Sequence, residues 1–550
     1  MNGNGAAEPT KQAKTSSLLQ EILSEDVMDR ESSIQESYQS SKPYPHAQIH
    51  DIFRPEFLQS VKEEIKSQTK VNFKESDLFR VYQSIDMANL TPDSELANQL
   101  PHVMKLREVL YSQEWRSFVE RLAGLPPSTL NSKIDCACNC HAPGCHLLCH
   151  DDVIGTRKIS YIIYLTEPDW REEEGGSLEL YGRQDENGSE SGPSPVPTSR
   201  AWPIFNSMAF FVVQPGQSYH AVQEVLGDRP RLSLQGWYHT AEPPKNIELA
   251  TLQQLKKARS NQDENEKLTV IFSTEDAAAG FQESDKTYLS KYLKPEYLSD
   301  EALDEIQQKF VKDSSVQLRN FLLEKWVPKM EPQKPNVYDD NYYTSGVSVE
   351  WKLRGPAHMQ RYLEYQPDTE SAGHSQMIGS LLHHVKTQVF ESEPFARFLR
   401  RLTSLDRPSG VRSGQIRRFR PGLDYTVAHY GLMVDQSVLD ATMCFVYDEN
   451  DENISWESGD CGGFECYIEA DDENDVKGAA DEYNEDDDTE LLSVSASNNT
   501  LSLVFRDPGT MRFVKYVGSS APSSRYDICM EYEVPTSSDA GDVEQDEAEP

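Results

Sequence analysis

The segment CHLLCHDDVIGTRKISYIIYL, residues 145–165, decides the fold that the sequence predicts. It joins a His-x-Asp pattern, His150 and Asp152, to a continuous apolar run that is typical of a buried β-strand. Further short runs follow, separated by Gly, Pro and Asp: GGSLELY (175–181), SMAFFVV (207–213), HAVQEVL (220–226) and RLSLQGWYH (231–239). Short strands separated by turn residues predict a β-rich domain between Asp135 and His239.

A second series of strand-like runs lies in the C-terminal half: ATMCFVY (441–447), GGFECYI (462–468), NTLSLVFRD (499–507) and RYDICMEYEV (525–534). Apolar residues at helical spacing precede each series, at 105–122 and at 380–402. Because the two series have the same order, the sequence predicts an internal duplication. The predicted fold class is α+β and mainly β, with two double-stranded β-helix (jelly-roll) domains and buttressing helices.

Composition divides the chain into segments around these two domains. The predicted segments are a mobile leader (1–45), the first β-domain (46–242), a linker (243–285), the second β-domain (286–536) with an acidic loop (471–490), and an acidic tail (537–550).

Charge and cysteine content limit the classes of function. The formal net charge of −38 disfavours sequence-independent nucleic-acid binding, because phosphates would be repelled, and it is compatible with a basic protein partner. No apolar run is long enough to span a bilayer, and the first residues lack an apolar signal segment, so we expect a soluble, intracellular protein without a membrane partner. Nine cysteines in 550 residues indicate a reducing compartment.

Three residues form a candidate metal site. His150 and Asp152 lie two positions apart, so in extended backbone they project to the same face. His220 follows at the end of another apolar run. Two imidazoles and one carboxylate are the facial triad of non-haem iron oxygenases, which leaves coordination positions open for chemistry.

An arginine and a tyrosine complete the candidate site. Arg231 opens the run RLSLQGWYH, and its planar guanidinium can pair with the far carboxylate of a dicarboxylic cosubstrate. Tyr164 can add a hydroxyl donor to the same carboxylate. Arg229 is the alternative anchor, although Arg231 is preferred because it opens the strand.

These motifs resemble the ribosomal prolyl hydroxylases, a branch of the 2-oxoglutarate and iron(II) oxygenases, over nearly the whole chain. That family also has a second, degenerate β-helix domain. The resemblance implies iron(II), 2-oxoglutarate and dioxygen as cofactors, with ascorbate as a further reductant. It implies that iron is bound by His150, Asp152 and His220, and 2-oxoglutarate by Tyr164 and Arg231.

The resemblance also implies a function. The substrate would be a proline in the decoding-centre protein of the small ribosomal subunit, a basic protein, with an influence on translation termination. A transcription-factor regulator would dock on the C-terminal domain, and the location would be the nucleus, the cytoplasm or both. The alternatives are an oxygen-sensing regulatory binding protein, or an oxygenase acting on lysine side chains or methylated nucleic acid.

The second domain lacks the metal ligands. The region near His429 has His-Tyr-Gly in place of His-x-Asp, and Arg512 or Phe513 stands where His220 would be. Arg525 matches Arg231 in position. Because no iron site of this type forms without two imidazoles and a carboxylate, we expect a non-catalytic docking domain.

Three other features have simpler explanations. The cysteine-rich segment Cys136–Cys149 invites a structural zinc site, but it has no C-x2-C pair, and Cys136, Cys138 and Cys140 alternate as on one face of a strand. Asp151 should point away from the metal as a hydrogen-bonding neighbour. The segment Trp237–His239 is assigned to core and rim.

Overall fold

The computed structural model describes residues 18–183, 192–256, 279–333, 339, 341–367, 378–405, 411–433, 436–449, 454–469 and 490–534. These residues form two compact units. The first unit consists of the described residues up to Leu255 together with the short segment Gly355–Met359. The second unit consists of the remaining described residues. Within the described ranges, no helix combines the length and the apolar character that a membrane crossing requires.

The helices of the first unit are α1 (Glu31–Ser40), α2 (Pro55–Gln68), α3 (Glu95–Gln99), α4 (Pro101–Tyr111), α5 (Gln113–Leu122) and α6 (Thr251–Leu255). The helix predicted over 105–122 is therefore two helices. Ser112 ends α4 in an extended conformation, and its hydroxyl accepts a hydrogen bond from the Trp115 amide in the first turn of α5.

The strands of the first unit are β1 (His46–His50), β2 (Val71–Glu75), β3 (Phe79–Ser84), β4 (Ile134–His141), β5 (His146–His150), β6 (Arg157–Tyr164), β7 (Leu178–Leu180), β8 (Ser199–Ala201), β9 (Ser207–Val212), β10 (His220–Val222) and β11 (Arg231–His239). They are hydrogen-bonded in the order β1-β9-β6-β11-β4-β3-β5-β10-β7-β8, and β2 pairs with β3. The pairing is antiparallel.

Strand β11 lies between β4 and β6, and its two faces differ. Leu232, Leu234 and Tyr238 belong to the hydrophobic core that the helices cover. Because side chains alternate along a strand, the opposite face carries Arg231, Ser233, Gln235 and Trp237. That face is the floor of the candidate site.

The predicted mobile leader needs a correction. Residues 18–22 are helical, and α1 buries Ile34 and Tyr38. The Tyr38 ring stacks on Phe210 of β9 at a centroid distance of 5.2 Å. These few apolar side chains are dispersed among polar residues, so composition alone concealed the helix. Residues 1–17 lie outside the described part.

The predicted linker, residues 243–285, is also shorter than expected. Helix α6 belongs to the first unit, with Thr251 buried, and the Thr251 amide donates to Asp151 Oδ2 at 3.0 Å. A further helix, Glu283–Leu289, lies in the second unit and buries Leu289. Residues 257–278 lie outside the described ranges.

The helices of the second unit are α7 (Glu283–Leu289), α8 (Asp300–Asp313), α9 (Ile378–Val385), α10 (Glu393–Thr403) and α11 (Ile454–Glu457). Its strands are β12 (Ser315–Leu318), β13 (Trp351–Arg354), β14 (Gln360–Tyr365), β15 (Val411–Phe419), β16 (Tyr425–Thr426), β17 (Val438–Phe445), β18 (Glu465–Glu469), β19 (Glu490–Val494), β20 (Thr500–Arg506), β21 (Thr510–Val514) and β22 (Arg525–Glu533).

The predicted duplication is confirmed by the strand order. The row β20-β17-β22-β15 of the second unit repeats β9-β6-β11-β4 of the first. The row β19-β18-β21 repeats β8-β7-β10 in the same way. The predicted acidic loop falls outside the described residues except for Glu490, the first residue of β19, and the acidic tail lies wholly outside them.

Candidate metal centre and cosubstrate site

Two neighbouring strands bring the predicted metal ligands together. His150 ends β5, His220 begins β10, and the two residues are direct partners in this antiparallel pair, with ring centroids 4.3 Å apart. Asp152 lies 3.2 Å from His150 Nε2 through Oδ1 and 3.3 Å from His220 Nε2 through Oδ2. Asp152 has φ of 61°, in the left-handed region that Asp adopts more readily than most residues, and it lies beyond the end of β5. The extended backbone expected between His150 and Asp152 is therefore wrong, although their side chains do meet.

Backbone carbonyls fix the orientation of both rings. His150 Nδ1 contacts the Leu148 carbonyl and His220 Nδ1 contacts the Ser218 carbonyl, each at 2.8 Å. A carbonyl only accepts, so each Nδ1 carries a hydrogen and each Nε2 is directed at Asp152, where a ring that is neutral would present its Nε2 lone pair to a metal. The three ligand atoms lie within 4.8 Å of one another, and among the described residues no other group of three metal-capable side chains converges. The arrangement fits a single iron ion.

The electrostatics of the group agree with a metal site. Burial raises the pKa of the Asp152 carboxyl, but the neighbouring His220 and His150 rings outweigh burial and hold that pKa well below its ordinary value. Burial lowers the pKa of His150, whereas its hydrogen bond and charge interaction with Asp152 give a net increase. Asp152 therefore stays ionised, as a metal ligand must be.

Trp237 contacts this group directly. Its Nε1 donates to Asp152 Oδ2 at 2.9 Å, and the Arg157 guanidinium lies 3.5 Å from the centroid of the indole ring. The assignment of Trp237 to core and rim therefore needs correction. The alternation of side chains along β11 could have indicated this role, because it places Trp237 on the same face as Arg231.

Arg231 and Tyr164 form a buried donor site, in which Arg231 Nη1 donates a long hydrogen bond to Ser233 Oγ at 3.5 Å. Both side chains are fully buried, and the Arg231 Nε and Nη2 atoms and the Tyr164 hydroxyl have no hydrogen-bond partner among the described residues. The guanidinium carbon lies 5.0 Å from the Tyr164 ring centroid. An unpaired buried charge is costly, so this pair fits a carboxylate ligand, as 2-oxoglutarate would provide.

The alternative anchor, Arg229, is already paired. Its guanidinium donates to both carboxylate oxygens of Glu174, at 2.6 and 2.5 Å, and to Asp169 at 2.6 Å. These contacts satisfy the side chain, so the geometry favours Arg231 as the residue that binds the cosubstrate.

His141 is a candidate site residue that the sequence did not indicate. It is buried opposite Arg231 on β4, and neither ring nitrogen has a hydrogen-bond partner among the described residues. Burial and the Arg231 charge hold the pKa of His141 well below its ordinary value, so the ring is neutral. A neutral ring offers one donor and one acceptor to the space around Arg231.

A glycine keeps that space open. Gly176 has φ of +73°, and a Cβ atom built on it would lie 2.8 Å from Arg231 Cδ. Glycine is therefore required both for the positive φ and for the close approach of the arginine.

Two of the three predicted metal ligands, His150 and Asp152, line a cavity of about 370 Å³ together with Asn139, Gln235 and Trp237. This volume lies in the range of small-molecule sites.

Asp151 points elsewhere, and the cysteines have a structural role. Asp151 accepts hydrogen bonds from the backbone amides of Gly216 and Thr251, each at 3.0 Å, which confirms it as a hydrogen-bonding neighbour. Cys136 and Cys138 are buried in the hydrophobic core. Zinc is therefore not indicated at these cysteines.

The second unit has a different group at the equivalent position. Tyr467 of GGFECYI corresponds to Leu180 of GGSLELY, and strand register pairs Tyr467 with Arg512 and Leu180 with His220. Arg512 therefore replaces His220. Arg525 corresponds to Arg231 but contacts the protein's own carboxylates.

Comparisons with known proteins agree with this site. Residues 136–239 match the sequence model of the 2OG-Fe(II) oxygenase superfamily, and residues 284–540 match the model described as oxoglutarate and iron-dependent oxygenase degradation C-term. The fold and the site thus define a 2-oxoglutarate-dependent oxygenase.

Three relatives narrow the class. Prolyl 3,4-dihydroxylase OGFOD1 of Ostreococcus tauri is 39% identical over 89% of this chain and 95% of its own length. Prolyl 3-hydroxylase OGFOD1 of Xenopus laevis is 28% identical, covering 87% and 84%. Prolyl 3-hydroxylase sudestada1 of Drosophila melanogaster is 26% identical, covering 84% and 78%. This chain belongs to their family, the 2-oxoglutarate- and iron(II)-dependent prolyl hydroxylases, which confirms the resemblance and the cofactors iron(II), 2-oxoglutarate and dioxygen.

Proposed function

We propose that this protein is a prolyl hydroxylase whose iron is bound by His150, Asp152 and His220 and whose 2-oxoglutarate is bound by Arg231 and Tyr164. The observation that supports it most is the buried, unpaired Arg231 guanidinium in the same unit as a three-ligand metal group. The relatives, each named as a prolyl hydroxylase, support proline as the target.

In this proposal the side chains hold and orient the metal and the cosubstrate. Iron(II), 2-oxoglutarate and dioxygen together supply the oxidising chemistry, which yields succinate, carbon dioxide and a hydroxylated product. The two histidines present Nε2 to the metal, and Trp237 holds the carboxylate of Asp152. No side chain is required as a general base.

For the substrate, we propose a proline of the decoding-centre protein of the small ribosomal subunit, with an effect on translation termination. The net charge of −38 supports a basic protein partner. Action in the nucleus or cytoplasm, and ascorbate as a reductant, belong to the same proposal. For the second unit we propose a non-catalytic docking role, for substrate or for a transcription-factor regulator, since its triad position holds Arg512.

Succinate release tests this proposal. The wild-type protein, with iron(II), 2-oxoglutarate and a proline-containing ribosomal peptide, should release succinate in proportion to hydroxylated peptide. His150→Ala should abolish both, because one metal ligand is lost, and a peptide with alanine in place of proline should remain unmodified. Wild-type protein that hydroxylates no proline, but binds a partner equally well with and without His150→Ala, would instead favour a regulatory binding protein.

A further inference from the structure

Three side-chain amides form a hydrogen-bonded row across β3, β4 and β11. Gln83 Nε2 donates to Asn139 Oδ1 at 3.0 Å, and Asn139 Nδ2 donates to Gln235 Oε1 at 2.8 Å. The row begins at Lys74 on β2, whose Nζ donates to Gln83 Oε1 at 3.0 Å. Strand register produces this row, because Gln83 and Asn139 are direct partners and Lys74 is diagonal to Gln83.

The lysine fixes the direction of the row. An ammonium group only donates, so Gln83 must present its oxygen to Lys74 and its nitrogen to Asn139. Asn139 then accepts through Oδ1 and donates through Nδ2 to Gln235 Oε1. Gln235 Nε2 is therefore the last donor of the row. None of the described residues accepts a hydrogen bond from this Nε2 through its side chain.

The final donor faces the candidate site. Gln235 is 6% exposed and lines the cavity together with His150 and Asp152. On its face of β11 it lies between Arg231, the anchor for the far carboxylate, and Trp237, which contacts Asp152. Gln235 thus lies between the carboxylate anchor and the metal ligands.

We propose that Gln235 is a cosubstrate-binding residue whose Nε2 donates to the 2-oxo acid end of 2-oxoglutarate, the end opposite to the carboxylate that pairs with Arg231. The row from Lys74 positions this amide before the ligand enters. A cation at one end and an anionic ligand at the other polarise the hydrogen bonds in the same sense. This inference rests on the proposed function, which assigns 2-oxoglutarate to Arg231 and Tyr164.

The second unit offers an internal comparison. With Arg525 aligned to Arg231, strand register places Arg417 at the position of Asn139 and Cys529 at that of Gln235. Arg417 Nε donates to Asp527 at 2.8 Å. The amide row is therefore confined to the unit with the metal ligands, within the described residues, as a cosubstrate contact requires.

The test is an anaerobic titration of 2-oxoglutarate into the full-length protein loaded with iron(II), followed by the visible charge-transfer absorption of the iron and 2-oxo acid complex. Gln235→Leu should weaken 2-oxoglutarate binding about 10-fold or more, the effect of a lost hydrogen bond to a charged group. Lys74→Met should weaken it about 3-fold, because the row loses its polarising cation. Lys70→Met, an exposed lysine just before β2, is the matched control and should change nothing. Iron affinity without 2-oxoglutarate should be unchanged in Gln235→Leu.

Two results with Gln235→Leu would overturn the inference. Wild-type 2-oxoglutarate affinity in Gln235→Leu, or equal losses of iron and 2-oxoglutarate binding, would exclude a specific contact. If Gln235→Leu does not fold, Lys74→Met decides, and unchanged affinity there overturns the proposal. The titration contains no peptide, so its result does not depend on whether the protein hydroxylates proline. A wild-type protein that binds 2-oxoglutarate but hydroxylates no proline in the succinate assay would refute only the proposed function. Gln235→Leu with wild-type affinity would refute only this inference.

Discussion

Arg229 and Arg231 lie two residues apart, yet their surroundings differ. Arg229 is paired with Glu174 and Asp169 near the surface, whereas Arg231 is fully buried and its Nε and Nη2 atoms lack partners within the described chain. The cost of burying a guanidinium without an anion is recovered only when a ligand provides one. Burial and pairing therefore favour Arg231 over Arg229 as the proposed binding arginine, where sequence spacing left two candidates.

Conservative substitution of these arginines separates their roles. Arg231→Lys should weaken 2-oxoglutarate binding about 10- to 100-fold, because lysine cannot form the paired hydrogen bonds of a guanidinium. Arg229→Lys should leave the affinity within about 2-fold, because Arg229 pairs with Glu174 and Asp169 and, in this account, does not contact the ligand. Calorimetric titration of both variants measures the difference, and equal losses would contradict the assignment.

Trp237 should affect the metal rather than the cosubstrate. Trp237→Phe keeps an aromatic ring but removes the N–H that donates to Asp152. Loss of such a supporting hydrogen bond typically lowers metal affinity or activity about 10- to 100-fold. We expect weaker iron(II) binding, measured by competition with a chelator, and an unchanged fold by circular dichroism. Wild-type iron affinity in this variant would show that the contact does not position Asp152.

The sequence predicted the ligand triad and the two cosubstrate residues, but not their supporting groups. His150, Asp152, His220, Tyr164 and Arg231 were predicted from residue type and spacing within short motifs, although Asp152 lies beyond the end of β5 and not in extended backbone. Trp237, His141 and Gln235 acquire their roles from neighbours on other strands. Parity predicts the face of a side chain, whereas contacts across strands depend on a register that the sequence does not state.

At the level of elements, β11 organises the site. It pairs with β4 on one side and with β6 on the other, so one strand aligns Arg231 with His141 and Ser233 with Tyr164. The tight packing depends on Gly236, because a Cβ atom there would lie 1.9 Å from the Asp135 carbonyl oxygen. A backbone atom cannot move aside without disturbing the β4–β11 pairing.

Substitution of this glycine should therefore destabilise the first unit. Gly236→Ala should lower the free energy of unfolding by about 1–3 kcal/mol or more, the range for overpacked sites. Gly280→Ala is the control, because a Cβ atom there meets no atom within 4 Å and its φ is not positive. Urea unfolding of both variants measures the effect, and equal midpoints would argue against this packing constraint.

Element boundaries were predicted less well than the strand pattern. The apolar spacing over 105–122 suited one helix, but the Ser112 side chain caps a second helix instead of continuing the first. Helix α1 was missed because its buried side chains are few and dispersed. The spacing of apolar residues does not show that the Ser112 side chain can cap a new helix, nor that Tyr38 of α1 packs on a strand far away in the sequence.

At the scale of the whole molecule, one β-helix was duplicated and only the first copy retains a metal group among the described residues. In the second unit, ion pairs occupy the corresponding interior. Arg506 Nε lies 2.8 Å from Asp440, and Arg512 lies 3.0 Å from the same carboxylate. Asp527 contacts Arg525 at 3.1 Å, where a ligand carboxylate would bind in the first unit. The chain's own carboxylates thus replace the ligand.

This arrangement predicts one iron site for each chain. Metal analysis of the full-length protein reconstituted with iron(II) should give one equivalent, because the second unit offers arginines in place of imidazoles. Arg512→His should not add a second equivalent, since one histidine does not restore a triad. Two equivalents in the wild-type protein, or one that survives His150→Ala, would contradict the assignment.

The most direct test of the central claim is fragment-ion mass spectrometry of a ribosomal proline peptide after reaction under isotopically heavy dioxygen. The wild-type protein with iron(II) and 2-oxoglutarate should place heavy oxygen on a proline ring carbon, and Asp152→Ala should place none because the iron loses a ligand. Label on another residue, or oxygen derived from water, would contradict a prolyl hydroxylase built on His150, Asp152 and His220.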